Sequence, residues 1–419
     1  MRKRRDETSK HRNVMPVRDQ ESNDFRLRCG MNRDSVILIW DEDGSAPYGN
    51  WITVLWRCYQ RDGNGTFSMP ELVEQTAETL RLRYLAWVHD LGLSLINDVP
   101  LVDHLELRRG FSYWWMTLFA EKSNGYKSPQ INDALKLLVL EDIVEKHRPR
   151  EVILVSGNKP LARTLRLWCR TSGIVLTWKR TSDKVMKEAY AHEIYRALPH
   201  RIRALVSILR HLLKRWPWRG EYRGHLEKTE ARMTFCSYSD NLDKGAASER
   251  RFFSNYWTVL PDAMRSRNLR SNWLHLYVPD ELNPTVGDAR RLISGFNRNG
   301  DGSQLHTILD NVLDWRVVVS AVRDYIHIAR KGRHLQKART QFRPKDSNID
   351  LWPLFRRDWN DSMYGATAMS NCIFLNCFER TLKALPRQEL GVYLQENQGW
   401  EMSFIHAWRA AGHGLLVGV

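Results

Sequence analysis

Side chains able to do chemistry gather in a few short stretches of this 419-residue chain. Three of them directly follow strand-like runs: Asp41, Glu42 and Asp43 after SVILIW, Ser156, Gly157 and Asn158 after EVILV, and Ser239, Asp240 and Asn241 after TFCSY. A fourth, QENQGWE at 395–401, follows the apolar run that starts at Val392 and contains Glu396 and Glu401. Carboxylates at such places can serve as general bases on a hydroxyl, and Trp or Tyr rings can stack on a sugar face. A fifth stretch sets Phe111, Tyr113, Trp114, Trp115 and Phe119 beside Glu121, Lys122 and Lys127. Its lysines could neutralise a phosphate. Plainer readings stand beside these. Glu121 could pair with Lys122 or cap a turn, Glu396 could lie on the surface, and 41–45 could be a solvated turn. Glu396 and Glu401 take priority as catalytic candidates because they follow the carboxyl end of a strand, where open α/β sheets bind ligands.

The elements that must position these loops alternate. Strands are expected at 35–40, at Glu151–Val155 and at 174–178, with helices from 130 to about 146 and over 161–170 between them. Ser128 is a candidate N-cap for the helix at 130, with Pro129 at its first position. Helices are also expected over 51–60 and 70–91. A second run of α/β structure begins near residue 230, with strands at 234–238 and 272–278 and helices at 305–329 and 368–385. It closes on strand 392–395, helix 399–411 and strand 415–419, a βαβ unit. A parallel sheet follows from this alternation. The segments are a basic arm at 1–32, an N-terminal Rossmann-like domain at 33–180, a basic helical insert at 181–230 and a further α/β region at 231–419. NRNGDGS at 297–303 imitates a calcium loop, but the twelfth position is Ile308 where a bidentate Glu is needed, so a turn is expected there.

In the insert, Leu198, Ile202, Leu205, Val206, Leu209, Leu212, Leu213 and Trp216 recur at helical spacing. Arg201, Arg203, Arg210, Lys214 and Arg215 fill the other side, and Trp216-Pro217-Trp218 ends the helix. Such a basic amphipathic helix suits the headgroup zone of an anionic membrane, so these five cations with Trp216 and Trp218 are the membrane-facing candidates. The alternative is a helix packed on its domain with a solvated basic face.

Composition narrows the classes. The chain has 64 Lys+Arg against 48 Asp+Glu, a net charge of +16, which attracts polyanions: nucleic acid, anionic membrane or phosphorylated substrates. Seventeen tryptophans fit stacking on sugars or bases, a membrane interface, or simply the core. The six cysteines form no CxxC pair, which argues against zinc and against a disulfide framework and for a reducing cytoplasm. The basic N-terminus lacks the apolar region of a signal peptide, and no apolar run reaches the roughly 18 residues of a membrane span. GxGxxG, Walker A, HExxH and GxSxG elements are missing from their required contexts, which lowers the case for dinucleotide oxidoreductases, P-loop enzymes, zinc proteases and serine hydrolases.

Three motifs carry a resemblance: WWMTLFAEKSNGYKSP at 114–129, EVILVSGN at 151–158 and YLQENQGWEMSFIHAWRAAGHGLLVGV at 393–419. In these the chain resembles bacterial surface carbohydrate biosynthesis proteins, a family that looks like GT-B glycosyltransferases. The resemblance implies two Rossmann-like parallel-sheet domains facing across a cleft. It also implies transfer of a sugar from a nucleotide-activated donor to a glycan or lipid-linked acceptor, in lipopolysaccharide O-antigen or capsule assembly. The implied setting is the cytoplasm or the periphery of the inner membrane, with no cofactor and no metal. Glu121, Lys122, Lys127, Ser128, Glu396, Asn397, Trp400 and Glu401 are the matching motif positions. With the strand-end residues they complete the candidate set: Glu396, Glu401 and Glu121 as catalytic carboxylates, and Asp41, Asp43, Lys122, Lys127, Ser128, Ser156, Gly157, Asn158, Asn397 and Trp400 at substrate. Relatives continue past Gly418-Val419, which implies a second domain incomplete in this chain. The alternatives are a non-catalytic scaffold of the assembly machinery and a nucleic-acid-binding protein. The latter ranks behind because anionic lipid and sugar nucleotides attract the same charge.

Overall fold

The computed structural model describes residues 35–59, 65–121, 127–181, 195, 197–220 and 223–419. They form two compact units. One comprises residues up to 80, 134–184 and 347–350, and the other 81–133, 185–346 and 351–419. Residues 81–133, which lie inside the 33–180 segment, thus cluster with the second unit. Each unit is an α/β structure built on its own five-stranded parallel sheet.

In the first unit the strands lie in the order Thr66–Ser68, Ile52–Leu55, Val36–Trp40, Glu151–Val155, Val175–Lys179. Val36–Trp40 is the central strand and the first in sequence. It pairs in parallel with Ile52–Leu55 on one side and Glu151–Val155 on the other. Its VILIW run lacks polar alternation because both faces are covered, as in parallel sheets generally: Ile37, Leu38 and Ile39 are fully buried. The helix expected over 51–60 is instead the strand Ile52–Leu55. The spacing of Trp51, Leu55 and Trp56 imitates a helical face, but the short β-branched ITVL run pairs along its length. The region from 70 to 91 is helical but divided, into Met69–Gln75, capped by Ser68, and Ala77–Leu93.

The second unit repeats the same strand order. Met233–Tyr238 is central, with Ser271–Leu276 and then Gln304–Ile308 on one side and Leu390–Tyr393 and then Leu415–Gly418 on the other, all parallel. The closing βαβ unit is present, its two strands adjacent with Gly399–Ala410 as crossover. The helix expected over 305–329 begins later. Gln304–Ile308 is a strand, and the helix runs Trp315–His334 after Asp314, whose side chain accepts from Val317 N at 2.9 Å. An aromatic core lies against the sheet, with Phe235 stacked on Trp273 at 4.5 Å and Phe252 beside both Trp273 and His306. Helix Ala366–Ala384 packs against His200–Arg215, Trp315–His334, Trp352–Tyr364 and Gly399–Ala410. Cys372 and Cys377 are buried on it, and burial pushes both thiols up. Among the described residues no cluster of side chains could hold a metal, and no helix is long and apolar enough to cross a membrane.

Candidate functional site

In each sheet the chain leaves the central strand towards one edge and later returns to the other side. The carboxyl ends of the central strand and its later neighbour therefore diverge, opening a crevice where ligands bind in open α/β folds. In the first unit that point lies after Trp40 and Val155. Asp41 is buried and carries two bonds: Arg57 Nε donates to its Oδ1 at 2.6 Å, and Ser156 Oγ donates to its Oδ2 at 2.5 Å. The Arg57 guanidinium is raised in turn, chiefly by that bond. Ser156 Oγ also accepts from Asn158 N at 2.9 Å, and Asn158 caps helix Lys159–Thr171 by accepting from Leu161 N at 3.1 Å. Gly157 is buried between them, whereas Asp43 is exposed on the outgoing loop. The predicted residues Asp41, Ser156, Gly157 and Asn158 thus meet at one place, with their polar atoms engaged by each other.

The equivalent point of the second unit lies after Tyr238 and Tyr393, and its chemistry differs. Ser239 is held by backbone, its Oγ accepting from Val278 N at 3.0 Å, and buried Asn283 donates to the Ser239 carbonyl at 3.1 Å. The next residue, Asp240, has a buried Oδ1 with no hydrogen-bond partner. Burial raises its proton affinity, its own backbone amide lowers it in part, and the carboxylates of Asp280 and Glu396 add to the rise. The Tyr238 hydroxyl accepts from Trp400 Nε1 at 2.9 Å. Burial, with Glu396 close by, keeps this phenol protonated. Tyr256 lies near the Tyr238 ring, 6.4 Å between centroids, and its phenol is raised by burial and by Asp240 and Glu396. Asn241 and Asn397 both adopt left-handed backbone, at φ 55° and 59°, a conformation asparagine tolerates better than most residues. The result is a carboxylate with vacant acceptor capacity, a second exposed carboxylate at Glu396 and two phenols. Such a set can accept a hydroxyl proton and hydrogen-bond a polyol.

The loop carrying Glu396 is clamped from below. Glu401 Oε1 accepts from Glu396 N at 2.8 Å and Gln398 N at 2.7 Å, forming a capping box at the start of helix Gly399–Ala410. Burial raises its carboxyl, while these backbone amides lower it. Glu121, also buried, accepts from Gly399 N at 2.9 Å and from Lys127 Nζ at 3.1 Å, and Lys127 Nζ donates to Gln398 Oε1 at 2.5 Å. Glu121, Lys127 and Glu401, expected at substrate or in catalysis, therefore hold the loop, and Glu396 and Asn397 are the exposed part of it. Lys122 lies outside the described residues. Trp400, expected as a substrate platform, is buried instead, stacked on Phe378 and bonded to Tyr238. Ser128 does not cap the helix at 130 with its hydroxyl, which donates to Asp358. Burial raises the Asp358 carboxyl to about 6. From sequence, Asp240 stands out with its strand-end loop but not among the catalytic or substrate candidates, and Tyr238 and Tyr256 are given no role. Only the position of Asp240, behind the first strand of its unit as Asp41 is behind the first strand of the other, pointed to it in the sequence.

Helix His200–Arg215 forms as expected, but part of its basic side faces inward. Arg203 and Trp218, expected at a membrane, are buried, and Arg215 points inward. Arg203 Nη2 lies 3.8 Å from Asp361 Oδ1, Arg215 Nη1 donates to Asp310 Oδ2 at 2.8 Å, and His211 Nε2 lies 2.9 Å from Asp310 Oδ1. Burial would raise the Asp310 carboxyl, but Arg215 and His211 hold it down at about 2. Arg201, Arg210 and Lys214 are exposed, and Trp216 is half-buried against Trp315, 5.4 Å between centroids. Comparison of the chain with protein-family models, with curated proteins and with solved structures gave no match.

Proposed function

We propose that the protein is a GT-B-like glycosyltransferase of bacterial surface polysaccharide assembly, O-antigen or capsule, acting in the cytoplasm or at the inner face of the membrane. It transfers a sugar from a nucleotide-activated donor to a glycan or lipid-linked acceptor. The observation that carries the reading is the unpaired Asp240 carboxylate oxygen at the point where the second sheet reverses its strand order, with Glu396, Tyr238 and Tyr256 around it. The two sheets of equal strand order and the resemblance of the 114–129 and 393–419 motifs to surface carbohydrate biosynthesis proteins support it. In this reading Asp240 takes the proton of a sugar or acceptor hydroxyl, which its raised proton affinity favours. Glu396 hydrogen-bonds neighbouring hydroxyls, and the protonated phenols donate to donor oxygens. Glu121, Lys127 and Glu401 act as positioning residues, fixing the loop that presents Glu396. The test is turnover with a panel of nucleotide sugars and lipid-linked or glycan acceptors. One donor should be consumed, and Asp240→Asn should abolish that turnover while the circular dichroism spectrum is unchanged. Failure to bind or consume any nucleotide sugar would refute the reading.

A further inference from the structure

The His200–Arg215 helix turns Arg203 and Arg215 inward and exposes leucines that sequence periodicity would bury. Ile202, Leu205, Leu209 and Leu213 are 45%, 57%, 50% and 81% exposed. Their spacing puts them on one arc, and at about 1.5 Å per residue the stripe from Ile202 to Leu213 runs roughly 16 Å. The inward side buries only two apolar side chains, Ala204 and Ile208, and is otherwise held by ion pairs to Asp361 and Asp310. Ion pairs are a costly way to seat a helix when four leucine-type side chains are available for the same purpose. The apolar surface continues past the end of the helix: Trp216 touches Trp315, which is 65% exposed, and Val319, one turn further on, is 63% exposed. A patch of this length on a soluble surface marks an interaction site.

We infer that this face is a docking surface for an anionic lipid bilayer, with the helix lying in the plane of the headgroups. Charge selects that occupant. Exposed Arg210 and Lys214 border the leucine stripe on one side, and Arg201, resting over the Tyr364 ring, borders it on the other. No acidic residue occurs from 200 to 220, and Arg316 and Arg323 are exposed beside Trp315 and Val319. A second copy of the chain would bring the same cationic borders and the same net charge of +16, and so would be repelled. An apolar stripe between cations with tryptophan at its end matches an interfacial helix, whose leucines enter the acyl boundary while its cations meet lipid phosphates. The inference is independent of the sugar-transfer reading, since no residue of the Asp240 site takes part.

The test is sedimentation of the full chain with vesicles of phosphatidylglycerol and phosphatidylcholine, and with phosphatidylcholine alone. Binding is expected to the anionic vesicles and to weaken with salt. Combined Leu205→Gln, Leu209→Gln and Leu213→Gln, all at exposed positions, should weaken it by at least about tenfold. Arg210→Gln with Lys214→Gln should weaken it by roughly tenfold or more and remove the preference for anionic lipid. Wild-type protein that ignores anionic vesicles would overturn the inference, as would leucine variants that bind like wild type. A concentration-dependent dimer that the leucine variants abolish would assign the face to a second copy and equally overturn it.

Discussion

The two sheets share one strand order, and each has an aspartate just beyond its central strand, Asp41 one residue and Asp240 two residues past the end, yet the two live in opposite conditions. Asp41 is buried and saturated, with Arg57 on one oxygen and Ser156 on the other. Asp240 has a buried oxygen with nothing bonded to it, and the carboxylates of Asp280 and Glu396 nearby. A buried acceptor left open costs about 1–3 kcal/mol, and folds retain such a cost mainly where something else repays it on binding. The first edge is therefore a closed network that ties two strand ends together, and the second leaves one buried oxygen of Asp240 unbonded.

The largest expected effect separates the two edges. Asp240→Asn should lower kcat by about 10²–10⁴-fold, the range of a lost general base, with unfolding unchanged. Asp41→Asn should leave kcat within a few-fold, and equal losses from both would break the distinction. Next comes acid sensitivity of the second unit. His275 is fully buried against His306, and burial lowers its pKa to about 4 from 6.5. The unfolded chain takes up this proton first as pH falls below 6.5. Stability is thus lost between pH 6.5 and about 4, by up to about 3 kcal/mol. Asp358, raised to about 6 from 3.8, works against that slope, because its contribution falls as pH rises through the same range. Comparison with His275→Asn isolates this histidine, whose replacement should make the acid limb of the urea midpoint shallower, the remainder coming from His306, which burial lowers well below 6.5. Hydrogen exchange should place the loss at Thr234 and Leu274 amides and not at Leu38 or Val152.

A smaller effect concerns the clamp under Glu396. A Cβ on Gly399 would stand 3.0 Å from Met116 O and from Glu121 Oε1, and the first of these is backbone. Gly399→Ala should cost about 1–3 kcal/mol and weaken donor binding through the displaced loop. Unchanged affinity would show that Glu396 needs no such support. Smallest in its effect on function is Ser156→Ala, which leaves the buried Asp41 Oδ2 open and should cost about 1–3 kcal/mol, with no change in KM. A raised KM there would bring the first edge into substrate binding.

Much of the architecture was legible in the sequence, because VILIW, EVILV and TFCSY are strands by run length and composition whatever packs on them. Ile52–Leu55 and Gln304–Ile308 were not: each is short, and the flanking apolar residues continue a helical spacing through it. The faces of His200–Arg215 were misjudged for another reason. Periodicity defines an apolar arc but not the direction it faces, and here the direction is set by Asp310 and Asp361, far away in sequence. The clamp was legible only as residue types. That Glu121 and Lys127 meet Gln398 and Gly399 depends on tertiary contact, as does the hydrogen bond of Trp400 to Tyr238. Asp240 stood in plain view behind a strand, but its missing partner is a fact of packing.

The most direct measurement is calorimetric titration of the wild-type chain, Asp240→Asn and Asp41→Asn with a panel of nucleotide sugars. Binding of one donor class by wild type and Asp41→Asn, weakened tenfold or more in Asp240→Asn, is the expected result. Affinity retained by Asp240→Asn and lost in Asp41→Asn would contradict the assignment of the open edge as the ligand site.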